Sequence, residues 1–190
     1  MLDKHKKIIE NKLNNKDYEV SNSFLKVKLD NKKEIVNTIV DNKSIWYIDN
    51  LIITVDKVNI NDCIGIITIA SGVDYVHIKI LSTEVYLDYH SKNVKRYDIN
   101  SFNVDMILAI IEDFNNKNNI VNNNELSNLF ELIIDDIDNL FIIIEKNKKK
   151  YIDEYNYKLN KLRADFVINE SKMLKKIKLL NGYSRTIDKL

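Results

Sequence analysis

Between Tyr18 and Tyr89 the chain alternates apolar and polar residues in short runs rich in Val, Ile and Thr, and only a few polar residues separate one run from the next. A period of two marks strands with one buried face. The punctuation falls at Asp30-Asn31-Lys32-Lys33, Asp41-Asn42-Lys43-Ser44, Val58 to Asp62, Ser71-Gly72 and Ser82-Thr83. Connections this short join antiparallel neighbours, whereas a parallel crossover needs about a dozen residues or more. The pattern therefore predicts an antiparallel meander of about six strands, near Val20–Leu29, Glu34–Val40, Ile45–Val55, Cys63–Ala70, Val73–Ile80 and Glu84–His90.

Turn positions fix which side chains meet across such a sheet. A two-residue turn at Ser71-Gly72 sets Thr68 opposite Tyr75 and Ile67 opposite Val76. A turn at Ser82-Thr83 sets Val76, Ile78 and Ile80 opposite Tyr89, Leu87 and Val85, which makes one face a core. The other face then carries Tyr75, His77 and Lys79 against His90, Asp88 and Tyr86.

Helical spacing flanks the sheet. Ile8, Ile9 and Leu13 predict a short amphipathic helix from Asp3 to Leu13. Phe102, Met106, Ala109, Ile110 and Phe114 form a second stripe, with Ser101 or Asn103 as N-cap. The stripe from Leu126 through Ile133 and Ile137 to Ile144 defines a third helix, and Tyr151, Tyr155, Leu159, Leu162, Phe166, Met173, Ile177 and Leu180 a fourth, with Gly182 as its stop. The fold class is thus α+β: the antiparallel meander packed by helices, with a long C-terminal helix or a helical hairpin. Residues 1–120 form the sheet domain with its N-terminal helix, and residues 121–190 a hairpin or coiled-coil-like arm.

Charge bears on that last choice. The net formal charge is +1. It is unevenly spread: residues 121–144 hold five acidic side chains and no Lys or Arg, and residues 145–190 hold 13 basic against 6 acidic. An acidic helix followed by a basic one favours folding back into a hairpin, or a rod zipped against a partner. The basic stretch also offers a nucleic-acid surface over residues 146–178, but with three Arg in the whole chain it lacks the fork that base readout and phosphate clamping prefer.

Composition excludes several classes of function. Asn, Ile and Lys number 27, 30 and 26, Gly 3 and Pro 0, a skew that follows an AT-rich genome as readily as any demand of chemistry. With Gly only at 65, 72 and 182, no glycine-rich phosphate loop exists, and P-loop hydrolysis and dinucleotide redox chemistry are excluded. The single Cys63 permits no internal disulfide or cysteine cluster and reads as a small strand hydrophobe. Three His and one Cys provide no dedicated metal site, and no cofactor is expected. No apolar run approaches the roughly 20 residues that span a bilayer, and the N-terminus has no apolar signal core, so a cytoplasmic protein is expected.

Two sets of residues are candidates for function. His77, Asp88 and His90 have the ingredients of metal-free acid–base chemistry: an imidazole oriented by a carboxylate, a second imidazole as acid, and Lys79 for an anion. Strands expose a polar face routinely, so the constellation is the weaker set. The stronger set is a binding surface of large aromatics and a basic helix: Trp46, Tyr47, Tyr151, Tyr155, Leu159, Leu162, Arg163, Phe166, Lys172, Lys175 and Lys176. Trp46-Tyr47 also reads as core plus rim.

In composition the chain resembles in style the accessory proteins of phages that infect low-GC bacteria, a resemblance carried by no single residue. It implies a non-enzymatic protein that binds a host protein or complex, such as RNA polymerase or a defence effector, and blocks or redirects it by steric occlusion in the host cytoplasm. The alternatives are a nucleic-acid-binding accessory protein using the basic helix, a small metal-independent hydrolase or nuclease, and a virion assembly component self-associating through its C-terminal helices.

Overall fold

The computed structural model describes residues 2–13, 16–60, 63–90 and 93–187. It is α+β, with one antiparallel sheet of nine strands in which spatial order equals chain order. The strands are β1 Tyr18–Val20, β2 Phe24–Lys28, β3 Glu34–Val40, β4 Lys43–Ile48, β5 Leu51–Ile60, β6 Cys63–Ser71, β7 Asp74–Leu81, β8 Glu84–Tyr89 and β9 Asn93–Asp98. Three helices accompany them: α1 Leu2–Lys12, α2 Val104–Asn118 and α3 Asn123–Ile187. Residues 1–145 form one compact unit and residues 146–190 another.

The count of nine corrects the expected six, and each extra strand has a local cause. Ser21 Oγ accepts from the backbone N–H groups of Ser23 and Phe24; that turn splits the first run into β1 and β2. Asp49, in the left-handed region at φ 49°, splits the third run at Asp49-Asn50 into β4 and β5. The sixth run ends at Tyr89, because His90 takes φ 48°, and the polar segment Asn93–Asp98 then pairs as β9 with β8.

The register across β7 and β8 is as the sequence predicts, with Val76, His77, Ile78, Lys79 and Ile80 opposite Tyr89, Asp88, Leu87, Tyr86 and Val85. Across β6 and β7 it is displaced: Thr68 faces His77, and Ala70 faces Tyr75. Gly72, at φ 60°, and Val73 form the turn instead of Ser71-Gly72. Because the slip is two residues, every side chain keeps its face.

One face of the sheet is the core. Trp46, Ile53, Ile67, Ile78 and Leu87 are buried there beneath Ile8 of α1, Ile107, Ile111 and Phe114 of α2, and the first part of α3. The α2 stripe is rotated by one residue from expectation: Ile107 and Ile111 are buried and Ala109 is exposed. Asn103 is its N-cap, accepting from the Met106 N–H at 3.0 Å. Gly65 allows α3 to approach β6 closely, since a Cβ there would lie 2.6 Å from Leu140 Cδ1.

A reciprocal capping box starts α3, in which Asn122 Oδ1 accepts from the Glu125 N–H and Glu125 Oε2 from the Asn122 N–H, both at 3.0 Å. From there α3 is a single helix, not a hairpin. The acidic stretch that argued for a hairpin is neutralised elsewhere: Glu125 by Lys33, Glu131 by Lys16, Asp135 by Lys12 and Asp136 by Lys4. Nor does Gly182 stop the helix; one glycine costs about 1 kcal/mol against alanine, too little to end it alone.

Candidate functional site

The open face of the sheet holds a hollow of 690 Å³ lined by Thr54, Asp56, Thr68, His77, Lys79 and Asp88 among others. Strand alternation puts these side chains there, because their sequence neighbours Val55, Ile67, Ile69, Val76, Ile78 and Leu87 are buried on the opposite face. His77 and Asp88 are opposite one another in register, but the hydrogen bond recorded for His77 Nδ1 is to Thr68 Oγ1 at 2.9 Å. His90 leaves the strand at the turn. Each imidazole packs on Tyr75, with ring centroids 4.6 Å away for His77 and 5.2 Å for His90. Both histidines thus contact the Tyr75 ring, and of the two only His77 lines the hollow.

Charges on this face engage their neighbours. Lys43 pairs with Asp56 at 3.7 Å, and Arg96 sits 5.1 Å from the centroid of the Tyr86 ring. Tyr86 donates its hydroxyl to Glu84 Oε2, and that bond raises the phenol above its ordinary value. Cys63 is buried, and burial likewise pushes its thiol up, the opposite of an activated nucleophile. Among the described residues, no three His, Cys, Asp or Glu side chains are grouped to hold a metal ion.

The aromatic candidates divide. Trp46 is 1% exposed and inside the core, where its indole N–H donates to Asp136; that corrects its place among the surface-binding residues. Tyr47, one position on, is half-buried on the open face. Tyr151 lies on α3, but its side chain falls outside the described residues.

The remaining candidates sit together on the second unit. Tyr155, Leu162, Arg163, Phe166, Lys172, Lys175 and Lys176 are exposed and Leu159 is half-buried. Leu162 and Phe166 are 66% and 69% accessible. Among the described residues, 12 of the 18 large hydrophobics that stand exposed fall within 152–180. Exposed apolar residues are ordinarily scattered singly, and their concentration on one helix sets this stretch apart from the rest of the surface. Among the described residues, no helix is long and apolar enough to cross a membrane.

Sequence reasoning found this stretch through its spacing of three and four. It missed the buried polar cluster of Asn37, Ser44, Trp46 and Asp136, whose signal was an acidic residue on the apolar face of a helix. No family model, curated protein or solved structure matches the chain.

Proposed function

We propose that this chain is a non-enzymatic protein–protein interaction protein whose working surface is the apolar seam at residues 152–180 of α3. The observation that carries this reading is the exposure of Tyr155, Leu162 and Phe166 at helical spacing on a helix flanked by lysines. A helix that keeps its apolar face in water loses the burial that normally stabilises an amphipathic helix, and a partner chain restores it. The compositional likeness to phage accessory proteins adds a finer form, in which the partner is a host machine blocked by occlusion.

The test is an affinity capture with the full chain and with Leu162→Asp and Phe166→Asp variants, from a low-GC bacterial lysate, with and without nuclease. Both substitutions are at exposed positions, so the fold should be kept, which circular dichroism checks. A stoichiometric protein that survives nuclease and is lost in both variants supports the reading. Capture unaffected by either variant overturns it.

A second reading rests on the exposed lysines at 158, 161, 172, 175 and 176, which fit a phosphate backbone. It predicts that nucleic-acid affinity falls steeply with salt, by a log–log slope of about −0.7 to −0.9 per phosphate contacted. Affinity indifferent to salt removes it.

A further inference from the structure

The seam has a finer pattern than apolarity. From Ile152 the spacing alternates three and four through Tyr155, Leu159, Leu162, Phe166, Asn169 and Met173, the 3.5-residue repeat of a supercoiled pair. In heptad terms Ile152, Leu159, Phe166 and Met173 occupy a, and Tyr155, Leu162 and Asn169 occupy d. Asn169 is the one residue of these seven that is neither aliphatic nor aromatic. The flanking positions carry charge: Lys158, Asp165 and Lys172 at g, Arg163 and Glu170 at e, all of them exposed.

Those charges discriminate between directions. In a parallel pair each g residue faces the e residue five positions on, which opposes Lys158 to Arg163 and Asp165 to Glu170 of the other chain. Both contacts are repulsive. Antiparallel helices oppose g to g and e to e instead. One antiparallel alignment sets Asp165 against Lys158 of a second copy with Leu159 against Leu162. Sliding one copy by two heptads instead sets Asp165 against Lys172 and Arg163 against Glu170, whereas the one-heptad slide between them is repulsive, opposing Asp165 to Asp165 and Lys158 to Lys172. Two-fold symmetry repeats each contact, so both alignments are self-complementary and share Asp165 as the anion.

We propose that residues 152–173 of α3 pair antiparallel with the same residues of a second copy of this chain, with Asp165 facing lysines of the other copy. The inference rests on the reading of this stretch as an interaction surface and names its occupant.

Charge reversal in the full chain tests it. Asp165→Lys alone opposes cations to cations, as Lys158→Asp combined with Lys172→Asp opposes anions to anions, and each protein by itself should self-associate roughly tenfold more weakly than the parent. Mixed in equal amounts, the two should restore association, because each reversed set then meets its complement. Strengthening of self-association by Asp165→Lys alone overturns the antiparallel arrangement, since in a parallel pair that lysine meets Glu170. A parent chain that sediments as a monomer up to about 100 μM overturns the second copy as occupant. If Leu162→Asp then still abolishes lysate capture, the seam stands as an interaction surface for another protein; if capture is unchanged, both readings fall.

Discussion

Trp46 Nε1 donates to Asp136 Oδ2 at 2.8 Å, tying β4 to α3 inside the core. The same carboxylate accepts from Ser44 Oγ at 2.6 Å and pairs with Lys4 of α1. Ser44 Oγ in turn receives Asn37 Nδ2 at 2.8 Å. A buried carboxylate is tolerated only with such partners, so this cluster ties the sheet and two helices to one another.

Replacing Asp136 with Ala should therefore lower the free energy of unfolding by about 3–5 kcal/mol, because a lysine and an indole N–H lose their acceptor. Ser44→Ala should cost about 1 kcal/mol. Urea titration followed by emission of the single Trp measures both. An Asp136→Ala variant as stable as the parent would show that the cluster is incidental to the fold.

His5 should make stability depend on pH. It is fully buried, and among the described residues neither ring nitrogen has a hydrogen-bond partner. Burial, with Lys4 adding to it against the opposing charge of Asp136, holds its pKa below the ordinary 6.5. The unfolded chain thus takes up the proton first as pH falls. The stability contributed by neutral His5 is fully present above the ordinary value and is lost as pH falls through that value towards the folded one. His5→Leu should shrink the difference in unfolding free energy between about pH 8 and about pH 5; an unchanged difference would assign the loss to other groups. Glu125 acts in a lower window. Burial alone would raise its carboxyl, but Lys33, the Asn122 N–H and Asn31 outweigh that and hold it below 4.5, so its contribution is fully present above 4.5 and is lost as pH falls through that value towards the folded one.

Gly65→Ala should destabilise by about 1–3 kcal/mol through overpacking, since the added methyl meets Leu140 at 2.6 Å. Combined with Leu140→Ala the two costs should be less than additive, because the truncated side chain leaves room for the methyl. Additive costs in that double-mutant cycle would place the strain elsewhere.

The sheet was legible wherever period-two alternation met a clear turn, and the pairing of His77 with Asp88 follows from the Ser82-Thr83 turn alone. Strand β9 was not legible, because Asn93-Val94-Lys95-Arg96-Tyr97-Asp98 is polar and only its hydrogen bonding to β8 makes it a strand. The hairpin expectation misjudged which cations neutralise the acidic stretch of α3: lysines at 4, 12, 16 and 33 are distant in sequence, and only the folded sheet brings them near. Trp46 reads as either a surface anchor or core from its size alone; alternation with Ser44 and Ile48 puts it on the buried face, where Asp136 accepts its indole N–H. Tyr155, Leu162 and Phe166 were legible as a stripe, but spacing alone gives no sign of whether a stripe is covered.

Sedimentation velocity of the full chain across a hundredfold range of concentration, beside Leu162→Asp, tests the seam and its occupant most directly. The account predicts that the parent moves from monomer to dimer as concentration rises while the variant stays monomeric over the same range. A parent that remains monomeric throughout, or a dimer that Leu162→Asp leaves intact, would contradict it.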